Sequence, residues 1–256
     1  MTRQAGRWQP RILGWVLGLL VLVPVGPDPA GGYVIPPEQL LEFMAESVTG
    51  YDTLGLRWEH GSGVRGRPKD PVIMNLWYRS PGDVRFENRD GRYDPPPGTP
   101  GAGFLELFCG DRDRIERFLA RHGLDLQTSS YTRLDGTVAY RIGRVAPSAP
   151  VLLLEKSRLI PLLFRYEPDD AAVGETTEIL FRDHRRVGEG WFPHEILYRA
   201  ASGVTGFYEV RDLRKNEPLP SGFPSAAGPE GRETVPEGEE QRLERVIRAF
   251  EKKYGD

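Results

Sequence analysis

Between residues 53 and 215 the chain is dominated by alternation of apolar and charged positions. In TLGLRWEH, Leu54, Leu56 and Trp58 alternate with Thr53, Arg57 and Glu59; in DVRFENR, Val84 and Phe86 alternate with Arg85, Glu87 and Arg89; in TVAYRIGR, Val138, Tyr140 and Ile142 alternate with Thr137 and Arg141. A period of two, apolar then charged, is that of an antiparallel strand in a sheet with one solvated face. VIMNLWYRS, VLLLEKS, IPLLFRYEP, TTEILFRDH, EILYRAA and GFYEVRDLRK follow the scheme less regularly, and together they predict about ten strands. Two stretches follow a helical period instead. PPEQLLEFMAESVTG places Leu40, Leu41, Met44 and Val48 on one face, with Pro37 suited to the first turn and Gly50 to the stop. DRDRIERFLARHG does the same with Ile115, Phe118 and Leu119 and stops at Gly123.

Strands in one unbroken series usually lie side by side, and a sheet of this many strands curls toward a barrel. The expected architecture is mainly β (α+β): one strongly curved antiparallel sheet, with the helix before Gly50 and the one after Gly110 as the pieces available to cover its apolar side. Residues 36–220 form this domain, with an inserted Pro/Gly loop and helix over 91–123. Residues 221–256 change character, reading as a Pro/Gly/Glu linker and a closing amphipathic helix striped by Leu243, Val246, Ile247 and Phe250.

The N-terminus changes the picture. Arg3, Arg7 and Arg11 precede an apolar run, Ile12 to Val25, and then the breakers GPDPAGG. That order is the pattern of a secretory signal peptide, here over residues 1–30 with a cut after Ala30. The alternative is an uncleaved segment anchoring the protein to the inner membrane. Export frames the single cysteine: Cys109 can form no internal disulfide, and within GFLELFCG it reads as a small buried apolar residue. The formal charge of −3 argues against a nucleic-acid partner, which requires a basic excess.

Candidate chemistry is sparse. No G-x-S-x-G elbow occurs, and His60, His122, His184 and His194 lack metal-ligand spacing, so neither a catalytic residue, a metal nor a cofactor is expected. The stretch VGEGWFPHEILYRA, with Trp, Phe, Pro and His together, is the one that invites a catalytic reading. A three-residue Gly-Glu-Gly loop would pair Phe181 with Leu197 and turn Ile196 and Tyr198 outward. A loop one residue longer, or a bulge near Pro193, keeps Ile179, Phe181, Ile196 and Tyr198 inside and puts Asp183 opposite His194. In that register the stretch is a hairpin, and Asp183 with His194 is a surface pair worth about 0–1 kcal/mol.

NLWYRSPGDVRFENRDG (75–91) resembles the hairpin of the LolA-type periplasmic lipoprotein carriers, in which a strand ends in a basic residue, turns through Pro and returns as an aromatic-charged strand. GWFPHEILYRA and FYEVRDLRKNEPLPSGFP resemble the closing strands of the wider LolA/LolB-like superfamily. The resemblance spans about residues 36–224. It implies an unclosed barrel with a helical lid around an apolar cavity for acyl chains, a lid-locking role for Arg79 at the strand end, and no catalysis. Ser80 intervenes before Pro81 and shifts that spacing by one, and the C-terminal linker and helix exceed the family's usual end.

The ligand surface so implied comprises Leu40, Leu41 and Met44 from the first helix; Leu54, Leu56, Trp58, Met74, Leu76, Val84 and Phe86 from the first strands; and Phe164, Ile179, Phe181, Ile196, Tyr198 and Tyr208 from the later ones. The pattern itself is met equally by a solid core and by a hollow one. Two functions follow. One is a periplasmic carrier or binding protein for lipid or lipoprotein acyl chains, exchanging cargo with inner- and outer-membrane partners in outer-membrane lipoprotein sorting. The other is an envelope sensor or scaffold of the same fold that acts through protein contacts, with the C-terminal helix as its docking element.

Overall fold

The computed structural model describes residues 34–64, 67–88, 91–92, 101–168, 176–200, 203 and 205–223. The signal peptide expected over 1–30 lies outside these residues, as do all but three residues of the linker-and-helix segment expected over 221–256.

Among the described residues eleven strands form one antiparallel sheet: β1 (Thr53–Val64), β2 (Arg67–Arg79), β3 (Asp83–Asn88), β4 (Gly91–Arg92), β5 (Ser129–Leu134), β6 (Thr137–Ile142), β7 (Val151–Glu155), β8 (Pro161–Tyr166), β9 (Thr177–Val187), β10 (Gly190–Arg199) and β11 (Thr205–Lys215). The count is close to the expected ten, since β4 has two residues. The order is β4-β3-β2-β1-β11-β10-β9-β8-β7-β6-β5. Two meanders therefore meet where the first strand pairs with the last, Leu56 opposite Leu213 and His60 opposite Tyr208, with a bulge at Arg57/Trp58 that adds local twist. The sheet is open: β4 and β5 are its edges, and of the chain between them residues 102–119 contribute to the cluster on its apolar face.

The helices fall where the periodicity puts them. Helix α1 (Pro37–Ser47) starts with Pro37 in its first turn and buries Leu40, Leu41 and Met44. Helix α2 (Arg112–Arg121) is capped by the Asp111 side chain, which accepts from the Arg114 N–H at 3.0 Å, and it buries Ile115, Phe118 and Leu119. The two are not the whole cover. Residues Ala102–Phe108, which begin in the expected Pro/Gly loop and continue into GFLELFCG, for which no element is expected, form a 3-10 helix in which Phe104, Leu105, Leu107 and Phe108 are all buried.

The hairpin of β9 and β10 has the register that keeps the apolar residues inside: Ile196 faces Phe181 and Tyr198 faces Ile179. Its means differ from the expectation. Val187 pairs directly with Gly190, so the turn is the two residues Gly188–Glu189, shorter rather than longer, and WFPH is strand rather than corner. Gly188 adopts φ +63, as a two-residue hairpin turn requires. Pro193 is tolerated because β11 pairs β10 over Glu195–Arg199 and leaves position 193 without that neighbour.

Candidate functional site

Every side chain expected on the ligand surface lies in one contiguous apolar cluster. Leu40, Leu41, Met44, Leu54, Leu56, Trp58, Met74, Leu76, Phe86, Phe164, Ile179, Phe181, Ile196, Tyr198 and Tyr208 are buried in it, and Val84 packs against it half-buried. The alternation that makes the strands puts these residues on one side of the sheet, and curvature turns that side toward α1 and α2.

The centre of the cluster is occupied by residues that the alternation could not reveal. Phe108 of the 3-10 helix meets Phe181 edge-on at 5.1 Å between ring centroids and lies 5.3 Å from Phe192. Phe104 lies 5.9 Å from Phe181 and 6.3 Å from Tyr208. This segment, not the two α-helices alone, fills the middle of the inner face. The available signal was density: four large apolar residues in five, between glycines, in a stretch otherwise rich in Pro and Gly.

The covering segment is fastened at identifiable points. The Tyr78 hydroxyl donates to Glu106 Oε1 and accepts from the Gly82 N–H at 3.2 Å. Ser80 Oγ donates to the same carboxylate, 3.0 Å from Oε1 and 2.9 Å from Oε2. Glu106 is almost wholly buried, 3% exposed, so these hydroxyls replace the water it would otherwise bind. The Tyr51 hydroxyl donates to the Leu105 carbonyl. Backbone bonds from Gly50 N to Phe108 O and from Tyr51 N to Cys109 O, both 3.1 Å, complete the attachment. Gly110 and Gly50 permit the crossing: a Cβ on Gly110, at φ +75, would come within 2.6 Å of Gly50 Cα.

Burial first, then the Glu106 charge, holds the Tyr78 phenol well above its ordinary range, so it remains a donor. Arg79, between Tyr78 and Ser80, bonds Asp83 within its own hairpin, 2.7 Å from Nη2 to Oδ2, and its guanidinium lies 5.2 Å from the Phe223 ring centroid. Its two neighbours, Tyr78 and Ser80, are the residues whose hydroxyls meet Glu106 of the segment.

A row of polar aromatics lies beside Phe104. Trp58 and His60, both inward on β1, stack on Tyr208 at 4.3 and 4.7 Å, and His60 Nε2 is 2.9 Å from the Tyr198 hydroxyl. Burial lowers the His60 pKa to about 4, so its imidazole is neutral at physiological pH.

In the hairpin that invited a catalytic reading, the register that pairs Pro193 with His184 and Glu195 with Arg182 sets Asp183 opposite His194. His194 Nδ1 lies 3.2 Å from the Phe192 carbonyl oxygen, and Asp183 bonds Arg185 at 2.6 Å. Cys109 is 5% exposed, and burial raises its thiol pKa to about 11. Among the described residues no group of three or more His, Cys, Asp or Glu is placed to hold a metal, and no helix is long and apolar enough to cross a membrane. What the inner face can do is bury apolar surface.

No protein-family model matches the chain, and no curated protein matches it. Among solved structures it is similar to a Vibrio parahaemolyticus domain provisionally described as an outer-membrane lipoprotein-sorting protein, at 12% identity and TM-score 0.44, covering 72% of this chain and 94% of that one. It is also similar to a DUF1329 family protein from Desulfovibrio piger, at 12% identity and TM-score 0.42, covering 72% and 93%. A LolA superfamily protein from Nitrosomonas europaea is similar at 12% identity and TM-score 0.43, covering 75% and 99%.

Proposed function

We propose that this protein is a non-enzymatic periplasmic carrier of lipid or lipoprotein acyl chains, which take the place of the Ala102–Phe108 segment on the inner face of the sheet. The observation that carries this reading is the character of that segment. It presents Phe104, Leu105, Leu107 and Phe108 to the sheet as a ligand would, yet polar attachments collect at Glu106 and Tyr51.

The magnitudes make the exchange feasible. Burying four large apolar side chains stabilises by roughly 8–10 kcal/mol, at about 2–2.5 kcal/mol each. An acyl chain gains about 0.8 kcal/mol per buried CH₂, so about twelve methylenes offset the loss of the segment. Shorter chains would leave the cover in place; lipid-length chains would compete with it. The periplasmic setting rests on the leader pattern of residues 1–30, and membrane-bound donors and acceptors of the cargo are the partners this role requires.

The test is native mass spectrometry of the full chain produced in a Gram-negative periplasm, with organic extraction of bound material. Adducts of lipid mass that added methyl laurate, neutral and with twelve apolar carbons, displaces are expected. A bare protein mass with no uptake of added methyl laurate would overturn the reading.

A further inference from the structure

Among the described residues, the buried side-chain atoms without a hydrogen-bond partner include one donor on the inner face of the sheet, Trp58 Nε1. Trp77, Arg141 and His184, which also carry such atoms, occupy the outward positions of their strands, and Thr49 lies in the link after α1. The Trp58 ring is 0% exposed, so no bulk water reaches its N–H. A buried donor left unpaired costs about 1–3 kcal/mol, and native interiors seldom carry one without a reason.

The surroundings supply the reason. Trp58 stacks on Tyr208, interplanar angle 21°, and lies 6.2 Å from Phe86. His60, neutral and stacked on the same tyrosine, is bonded to the Tyr198 hydroxyl. The neighbouring Phe104, 6.3 Å from Tyr208, belongs to the segment that carrier function displaces. Displacement would remove Phe104 from the Tyr208 ring on which the Trp58 indole stacks, and so open the cluster beside an uncharged, polarisable wall of rings, while the side of Phe181 and Ile196 stays apolar. A charged head would lose its hydration here with no counter-ion on these rings; a neutral carbonyl would not incur that cost.

We propose that Trp58 Nε1–H is the receptor for a neutral carbonyl oxygen of the cargo, so that the interior selects an acyl ester or amide over plain hydrocarbon of the same length. The inference rests on the carrier reading and adds to it a polar anchor and a ligand class. Trp58 acts as a binding and registering residue: it fixes how deep the acyl chain sits.

The experiment uses the full chain with ¹⁵N-labelled indoles and two probes of matched length, methyl laurate and tetradecane, each delivered from cyclodextrin. The Trp58 indole resonance, identified by its loss in Trp58→Phe, is expected to move downfield with methyl laurate and to stay in place with tetradecane. Trp58→Phe, which keeps a ring in the stack, is expected to weaken methyl laurate binding about fivefold to tenfold more than it weakens tetradecane binding, as the loss of roughly 1 kcal/mol for one hydrogen bond predicts. The resonance measurement on the unaltered chain stands if the variant fails to fold, with assignment then made by through-space contacts to the rings of Tyr208 and Phe86. Binding of both probes with the same indole shift, or with the same loss in the variant, overturns the carbonyl anchor and leaves the carrier standing. Binding of neither probe overturns both.

Discussion

His60 shows at the scale of one residue how burial becomes a measurable property. Its imidazole is 5% exposed, stacked on Tyr208 and bonded to Tyr198, and burial alone lowers its pKa from the usual 6.5 to about 4. Above pH 6.5 both the folded and the unfolded chain hold this group neutral, and its contribution to stability is complete. As pH falls from 6.5 toward 4 the unfolded chain takes up a proton that the folded one refuses, so stability is lost across that window and no further below it, by on the order of 3 kcal/mol. His184, lowered to about 4 chiefly by burial and secondly by Arg158, acts in the same direction. His60→Gln should therefore flatten the dependence of the urea midpoint on pH between 7 and 4 without abolishing it; a wild-type slope in the variant would refute the assignment. Single residues were legible in the sequence where an element's period fixed their environment, as for Leu56 or Phe181. Glu106 was not: a carboxylate in GFLELF reads as the solvated position of an apolar run, and only the meeting of Tyr78 and Ser80 around it makes burial tolerable.

At the scale of elements, the cover decides what the sheet can bind, and Cys109 directly after it reports on its state. The thiol is buried and its pKa is raised to about 11, so at pH 8 it carries about a hundredfold less thiolate than a free cysteine as well as lacking access. Glu106→Ala removes the acceptor for two hydroxyls and leaves Tyr78, 0% exposed, with a buried hydroxyl that has lost this partner, a cost of about 1–3 kcal/mol to the closed state. Because that cost falls on closure of the segment, alkylation of Cys109 by iodoacetamide should accelerate roughly tenfold. Arg79→Ala, which breaks an ion pair within the hairpin, should accelerate it far less. The opposite ranking would place the lock at Arg79. The elements themselves divide by how they announce their burial. Strands and α-helices with one wet face carry a period, and β1, β3, β6, α1 and α2 were read from it. A seven-residue 3-10 helix buried on nearly all sides has no polar face to alternate with, and neither has β7, where Val151, Leu152, Leu153 and Leu154 are all buried. The turn at Gly188–Glu189 escaped for a related reason: two registers differing by one residue share the same glycines, and only the demand that Ile196 and Phe181 face the same side separates them.

In the whole molecule the first and last strands lie together at the middle of the sheet, a long-range arrangement that no local pattern announces. It has a consequence for where the chain can be shortened. β11 is bonded on both sides, to β1 through Leu54–Ser62 and to β10 through Glu195–Arg199, so its loss would split the sheet into two open pieces and expose Trp58 and Ile196 to water. Its end is secured within the described residues: Asn216 N–H donates to the Thr53 carbonyl at 2.8 Å, and its side-chain oxygen accepts from Asp52 N–H at 2.9 Å. Phe223 then meets Arg79 on the neighbouring hairpin. A chain ending at Phe223 keeps all of these contacts, whereas one ending at Gly203 keeps none. The first should melt within a few degrees of the full chain and take up methyl laurate equally well, and the second should not fold, as judged by circular dichroism and uptake together. This pair also separates the carrier from the scaffold, because a protein that works by docking its C-terminal helix would retain its fold but lose its partner in the first truncation. Retained melting with lost methyl laurate uptake in the chain ending at Phe223 would move the binding surface off the sheet and into residues 224–256.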